Sequence, residues 1–499
     1  MLRRRGPFLE LRAAGVAAVA GILLTACKPA PETVVQGAAS STLRVGVGRV
    51  ATNPNNGLRQ LAQNMTVELL ANFTEDGRLR PWLARDWNVS PDGLGLTINL
   101  TPGVKLHDGS ALTAALVVNA LQATLPTTMG QAYEDVDSVT ATGENQVLVR
   151  FRSPSPFLLD SLEAPIRKPG APLVGTGPYV VSEGSNLSEL RANPDYYLGP
   201  PTIGRIVVES YPSVRAAWAE LLRGRLDMLY EVGLDALDSL ETSTSVATFT
   251  YIRHYQHLVA LNTHGEVFRT SEARRAVNLG IDREALIREA LNGHGVLSSG
   301  PVWPYHYAFR SDFPRFEFNA AAAAQAARTA RGTKGLRFTC LIPPDAVNER
   351  IGLVMKRQLA QAGIEVDLKA STQDEVYESL KSGRFDAALI EGVSGPTLLR
   401  PYQLWHSKGA ANAGGLGSSV IDTAFDRLRH AKSEDEYRQR VAELQRAFVD
   451  DPPAIFLAWS ERARAVSTRF AVPAPERGRD ILATLRLWKP VSSDSRTSR

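Results

Sequence analysis

The chain has 499 residues, 44% of them hydrophobic and 22% charged, the balance of a globular protein with more than one buried core. Its formal charge of +4 is concentrated at the start: residues 1–26 hold Arg3, Arg4, Arg5 and Arg12 against Glu10, so the remainder carries 52 basic and 51 acidic groups. That near-neutral remainder offers no basic footprint for nucleic acid. The two cysteines, Cys27 and Cys340, are split between an export segment and the body of the chain, which excludes a disulfide scaffold and reads Cys340 as a small buried residue.

Residues 1–26 read as a signal peptide. Arginines at positions 3–5 precede an apolar stretch at 13–24, and Thr25-Ala26 places small residues before Cys27. The apolar run is shorter than the ~20 residues of a membrane-spanning helix. Leu24-Thr25-Ala26-Cys27 resembles the bacterial lipobox, which implies a lipid on Cys27, a flexible tether over residues 27–41, and a periplasmic or cell-surface location on a bacterial membrane.

Alternation at 43–48 predicts a first strand, and Asn53-Pro54-Asn55-Asn56-Gly57 predicts a turn after it. Gly46-x-Gly48-x-x-Ala51 matches a loose dinucleotide fingerprint, but Asn53-Pro54 stands where that motif's helix would begin, so no such site is read. Ser90-Pro91-Asp92-Gly93 marks a turn, residues 96–100 a strand of period two, and a helix is expected from about Thr113. A second alternating strand at 146–151 precedes a Pro-broken stretch to Pro172, which together describe a small mixed α/β subdomain. A strand at 206–209 and a helix at 213–223, capped by Ser213 and stopped by Gly224, come next. Residues 272–292 have the periodicity of two amphipathic helices, and 320–331 is an Ala-rich helix. Strands at 336–342, 365–369 and 386–390 alternate with helices at 348–362 and 373–382, an order that predicts a parallel sheet.

Several segments in order resemble the family 5 extracellular solute-binding proteins, the group of oligopeptide, dipeptide, nickel and glutathione receptors. They are Glu75-Asp76-Gly77-Arg78-Leu79-Arg80-Pro81-Trp82-Leu83-Ala84-Arg85-Asp86-Trp87, Leu106-His107-Asp108-Gly109-Ser110, Gly175-Thr176-Gly177-Pro178-Tyr179, Asn193-Pro194-Asp195-Tyr196-Tyr197, Leu261-Asn262 and Ile281-Asp282-Arg283. The resemblance implies a two-lobed α/β periplasmic-binding-protein fold with mixed sheets and hinge strands. Lobe one would span 42–255 with an inserted subdomain at about 72–172, lobe two 256–465, and residues 466–499 would return to lobe one. It further implies a monomer that captures a peptide or peptide-like solute and delivers it to an ABC permease and its ATPase, without a cofactor. A nickel, haem or other non-peptide receptor, and a signalling receptor, are the alternatives.

Ligand contacts are expected on loops that follow strands near the hinge. The candidates are Arg49, Thr52 and Asn53 after the first strand, Tyr179 in the Gly-rich motif, Tyr255 and His257 at the hinge approach, and Asn262. Glu391, Ser394, Arg400, Tyr402 and Trp405 follow the 386–390 strand. Peptide receptors of the family carry a Trp and an Asp in this last loop, the Asp pairing with the peptide ammonium. Here the stretch Glu391-Gly392-Val393-Ser394-Gly395-Pro396 has neither, so Glu391 is read as a displaced carboxylate and Arg400 as a partner for a ligand carboxylate. His107-Asp108-Gly109-Ser110 reads as a turn and not a catalytic pair. His254-x-x-His257, with His264 nearby, raises a metal site, but positions three apart on a strand face opposite ways, and no metal is assigned. The sequence shows no G-x-S-x-G, H-E-x-x-H or Walker A motif and is read as a non-enzyme, with a secreted hydrolase as the remote alternative.

Overall fold

The computed structural model describes residues 41–48, 56–332, 335–412, 414–475 and 479–491. Arg49, Thr52, Asn53 and Cys27 lie outside the described residues, as does the whole export segment. Among the described residues no helix is long and apolar enough to cross a membrane.

Two strands of unusual length organise the chain. Val246–Leu261 and Ala454–Ser467 have 16 and 14 residues, so each extends about 50 Å against the ~17–20 Å of an ordinary strand. They pair antiparallel from Val246↔Ser467 to Ala260↔Ala454, with irregularities between Ile252 and Gln256 and between His257 and Leu258. At one end Met228–Leu229 joins Ala454–Ser467, and Ser41–Gly48, Ile203–Tyr211, Glu189–Ala192 and Tyr179–Val181 continue the sheet. At the other end Ala387–Val393, Leu336–Ile342 and Ile364–Ala370 extend from Val246–Leu261. Two half-sheets therefore share one pair of strands, which is the crossing that a two-lobed α/β fold requires. Leu336–Ile342 runs parallel to both Ile364–Ala370 and Ala387–Val393, as the alternation of strands and helices there requires.

A separate antiparallel sheet has the order Ala84–Val89, Gly95–Leu100, Gln146–Phe151, Val136–Gly143. Leu96, Ile98 and Leu100, with Val147, Val149 and Phe151, turn inward at every second position against the helix Ala114–Met129. The same buried cluster takes in Tyr402, Trp405, Phe425 and Phe448, so this sheet is packed against residues more than 240 positions away.

Local chemistry explains the element boundaries. Ser213 accepts from Ala216 N at 3.1 Å, and Gly224 ends that helix at φ +71. The amphipathic stretch resolves into Ser271–Leu279 and Arg283–Ala290, divided by Asp282 acting as the second helix's N-cap. The turn expected through Asn56-Gly57 is instead the start of a helix, Asn56–Thr66, and a Cβ on Gly57 would meet Val47 Cγ1 at 2.5 Å. The His107 motif forms a turn in which Ser110 N and Oγ both donate to Asp108 Oδ1, at 3.1 and 2.5 Å.

Candidate functional site

A cleft of about 620 Å³ lies against the crossing strands where their pairing is irregular. Helix Asn56–Thr66 contributes Gln60, Gln63 and Asn64; the strand Val246–Leu261 contributes Tyr251, Ile252, Arg253, His254 and Tyr255. Arg462 and Arg464, two apart on the facing strand, share one side of it. Arg479 and Arg486 come from the C-terminal segment, Pro396 from the loop after Ala387–Val393, and Arg400 from the helix Leu399–Trp405 that follows it.

The wall next to helix Asn56–Thr66 is held by Glu68. This buried carboxyl accepts from Trp82 Nε1 at 2.7 Å, Tyr196 Oη at 2.5 Å and Thr176 Oγ1 at 2.8 Å. Burial raises its pKa despite these three donors. The Gly175-Thr176-Gly177 segment crosses the end of the same helix so closely that a Cβ on Gly175 would stand 2.3 Å from Thr66 O, and one on Gly177 2.3 Å from Met65 O. The glycines serve close backbone approach, and Thr176 is thereby delivered to Glu68.

His254 packs edge-on to Trp303, with ring centroids 4.8 Å apart. Burial first, then the cations Arg400 and Arg479, bring its pKa down to about 4, so the imidazole is neutral at pH 7. The Arg253 guanidinium lies 4.0 Å over the Tyr255 ring. Arg464 pairs with Asp480 at 2.6 Å, Arg462 with Glu231 at 3.2 Å and Glu391 at 2.8 Å, and Arg400 with Glu163.

Of the residues singled out from sequence, the structure brings Tyr255 and Arg400 into the cleft. The other candidates among the described residues stand elsewhere. Glu391 is outside the lining, accepting from Ser460 Oγ at 2.6 Å and from Arg462; burial works against its charge, but Arg462, His257 and Arg253 outweigh it and bring its pKa to about 2. His257 is buried opposite Glu391 in the ladder. Asn262 fixes a turn by donating to Gly383 O at 3.0 Å and Phe385 O at 2.8 Å. Ser394 is fully buried and donates to Pro301 O at 2.7 Å. Tyr402 and Trp405 are core: Tyr402 Oη accepts from Arg429 at 2.8 Å, and Trp405 meets Phe456 edge-on at 5.3 Å. Tyr179 is likewise fully buried. The arginines at 253, 462, 464, 479 and 486 were missed; the alternating Arg462-Ala463-Arg464 that follows the apolar run 454–459 was the available signal. Among the described residues no group of three or more His, Cys, Asp or Glu is arranged to hold a metal.

The family model described as bacterial extracellular solute-binding proteins, family 5 Middle, matches residues 78–415. The chain belongs to this family. The oligopeptide-binding protein AppA of Bacillus subtilis is 24% identical over 471 residues, covering 85% of this chain and 86% of the relative. The solved structure of that AppA in complex with a nonapeptide is similar at a TM-score of 0.73 and 20% identity, over 91% of this chain and 100% of that one. NikZ from Campylobacter jejuni in complex with Ni(L-His) is similar at a TM-score of 0.76 and 20% identity, over 90% of this chain and 99% of that one. The crossing strands of this chain are thus those of the two-lobed periplasmic binding proteins.

Proposed function

We propose that this extracellular solute-binding protein encloses a peptide or peptide-like solute between its lobes and hands it to the permease of an ABC importer. The observation that carries the reading is the cleft: about 620 Å³, set against the only long strands that join the half-sheets among the described residues, with polar groups converging on it. That volume falls within the roughly 300–1,000 Å³ of small-molecule sites and suits a short peptide better than a long one. The oligopeptide and nonapeptide named for AppA support the peptide class. Closure of residues 256–465 onto residues 42–255 would remove water from the solute and present a composite surface to the permease, with no covalent step. A lipid on Cys27 would keep the receptor at the membrane.

A thermal-shift panel of di- to pentapeptides tests the reading, because a ligand at 100 times its Kd stabilises the folded chain by about 2.7 kcal/mol. No shift with any peptide, beside a clear shift with a nickel chelate or haem, would overturn it. Radiolabelled palmitate should enter the native chain in bacteria and not the Cys27→Ser variant; equal labelling would remove the anchor.

A further inference from the structure

The charged groups facing the cleft do not balance. Its lining includes Glu68, Glu75, Glu163, Glu231 and Asp480 against Arg253, Arg400, Arg462, Arg464, Arg479 and Arg486. None of the carboxylates is free: Glu163, Glu231 and Asp480 hold Arg400, Arg462 and Arg464, Glu68 is surrounded by three neutral donors, and Glu75 is also engaged. Three of the cations, Arg253, Arg479 and Arg486, have no carboxylate within ion-pair distance among the described residues, and Arg486 donates to Leu198 O at 3.2 Å. Arg253 rests on the Tyr255 ring. Arg479 has its Nη1 buried with no acceptor.

The surroundings of Arg479 make this costly. Burial lowers its pKa, and Arg80 nearby lowers it further, with Asp480 alone opposing. A guanidinium drawn from water beside a second cation is unfavourable unless an anion completes it, and its planar fork suits a carboxylate or phosphate oxygen pair. His254, close enough to feel Arg479, adds a neutral ring that can donate or accept one hydrogen bond without changing this charge.

We infer that the solute is an anion, bound in this cleft through a carboxylate or phosphate by Arg479 and Arg253, and that the cleft holds no carboxylate ready for a ligand ammonium. The inference rests on the proposed peptide-like solute and deepens it, locating recognition at the acidic end and not at the amino end.

Calorimetry with five probes separates the possibilities: Ala-Ala-Ala, its C-terminal amide, its N-acetyl form, and inorganic phosphate and glutarate as non-peptide arms. The amide is expected to bind at least about tenfold more weakly than the free acid, the scale of one charge-assisted contact, while N-acetylation changes affinity less than about threefold. Arg479→Gln and Arg253→Gln should each bring acid and amide toward equal affinity. Acid and amide binding alike to the unaltered protein would overturn the anion site while leaving the peptide reading intact. Binding of glutarate or phosphate without any peptide would support the anion site and remove the peptide reading. Absence of binding by every anionic probe would overturn the inference, and because the acid–amide comparison uses the native chain, a variant that fails to fold does not affect it.

Discussion

The pair Arg464–Asp480 ties one crossing strand to the C-terminal segment that lines the cleft, and its removal has a calculable cost. Arg464 is 5% exposed; its Nε lies 3.1 and 3.2 Å from the two Asp480 oxygens and its Nη2 2.6 Å from Oδ2. Asp480→Asn removes the charge but keeps Oδ1, which caps the turn Ile481–Leu487 through Leu482 N at 3.1 Å. Removing one partner of a buried ion pair costs about 3–5 kcal/mol, because the remaining charge is left uncompensated. The Tyr230 ring, 3.9 Å from the guanidinium, and the 24% exposure of the Asp480 side chain soften this, so the expected loss is about 3 kcal/mol. In urea the midpoint should fall by about 1 M with an unchanged slope near 3 kcal/mol/M. Arg464→Met combined with Asp480→Asn should be no more than about 1 kcal/mol less stable than Arg464→Met alone. A loss below about 0.5 kcal/mol for Asp480→Asn, or strict additivity in the double variant, would refute the pairing argument.

Glu68→Ala strands the donors of Trp82, Thr176 and Tyr196 and should cost about 3 kcal/mol by chemical denaturation, whereas Glu68→Gln keeps an acceptor and should cost about 1; equal losses would contradict the hub. Its raised pKa means the folded state binds the extra proton, so this group's contribution falls as pH rises from the ordinary carboxylate value to the raised one, and Glu68→Gln should abolish that slope. Gly177→Ala places a Cβ against the fixed carbonyl of Met65 and should lower stability by about 2 kcal/mol in a thermal melt; an unchanged melting temperature would show that the segment moves freely. His254 and His306 both have pKa values lowered to about 4 chiefly by burial, so their stabilisation is complete above an unfolded value near 6.5 and is lost as pH falls toward 4. Ring resonances at pH 5.5 should report both as neutral, and protonation of either there would contradict the burial assigned to them.

The fold was legible where signals are local. Ser213 is a cap in both sequence and structure, the helix expected from about Thr113 begins there with Thr113 as its cap, and the alternation of 336–390 led directly to three parallel neighbours. The crossing of two strands entered through resemblance to a family, since their pairing joins residues near 250 to residues near 460. Helix Asn56–Thr66 was obscured because Asn-Gly speaks for a turn, while the actual need for glycine there is contact with Val47. At the site, Tyr255 and Arg400 could be placed because they sit beside the hinge and beside a strand end. Tyr402 and Trp405, on the same short helix as Arg400, were drawn into the core by Phe157, Phe425 and Phe456, none of them nearby in sequence. Glu391 was a sensible carboxylate until Arg462, 71 positions later, claimed it.

Hydrogen–deuterium exchange with and without a short peptide that raises the melting temperature tests most directly whether the solute sits against the crossing strands. Protection is expected together at 60–75, 251–255 and 479–486, the segments that line the cleft. Protection confined to 299–315, or none at any of the three, would contradict the assignment of this cleft as the binding site.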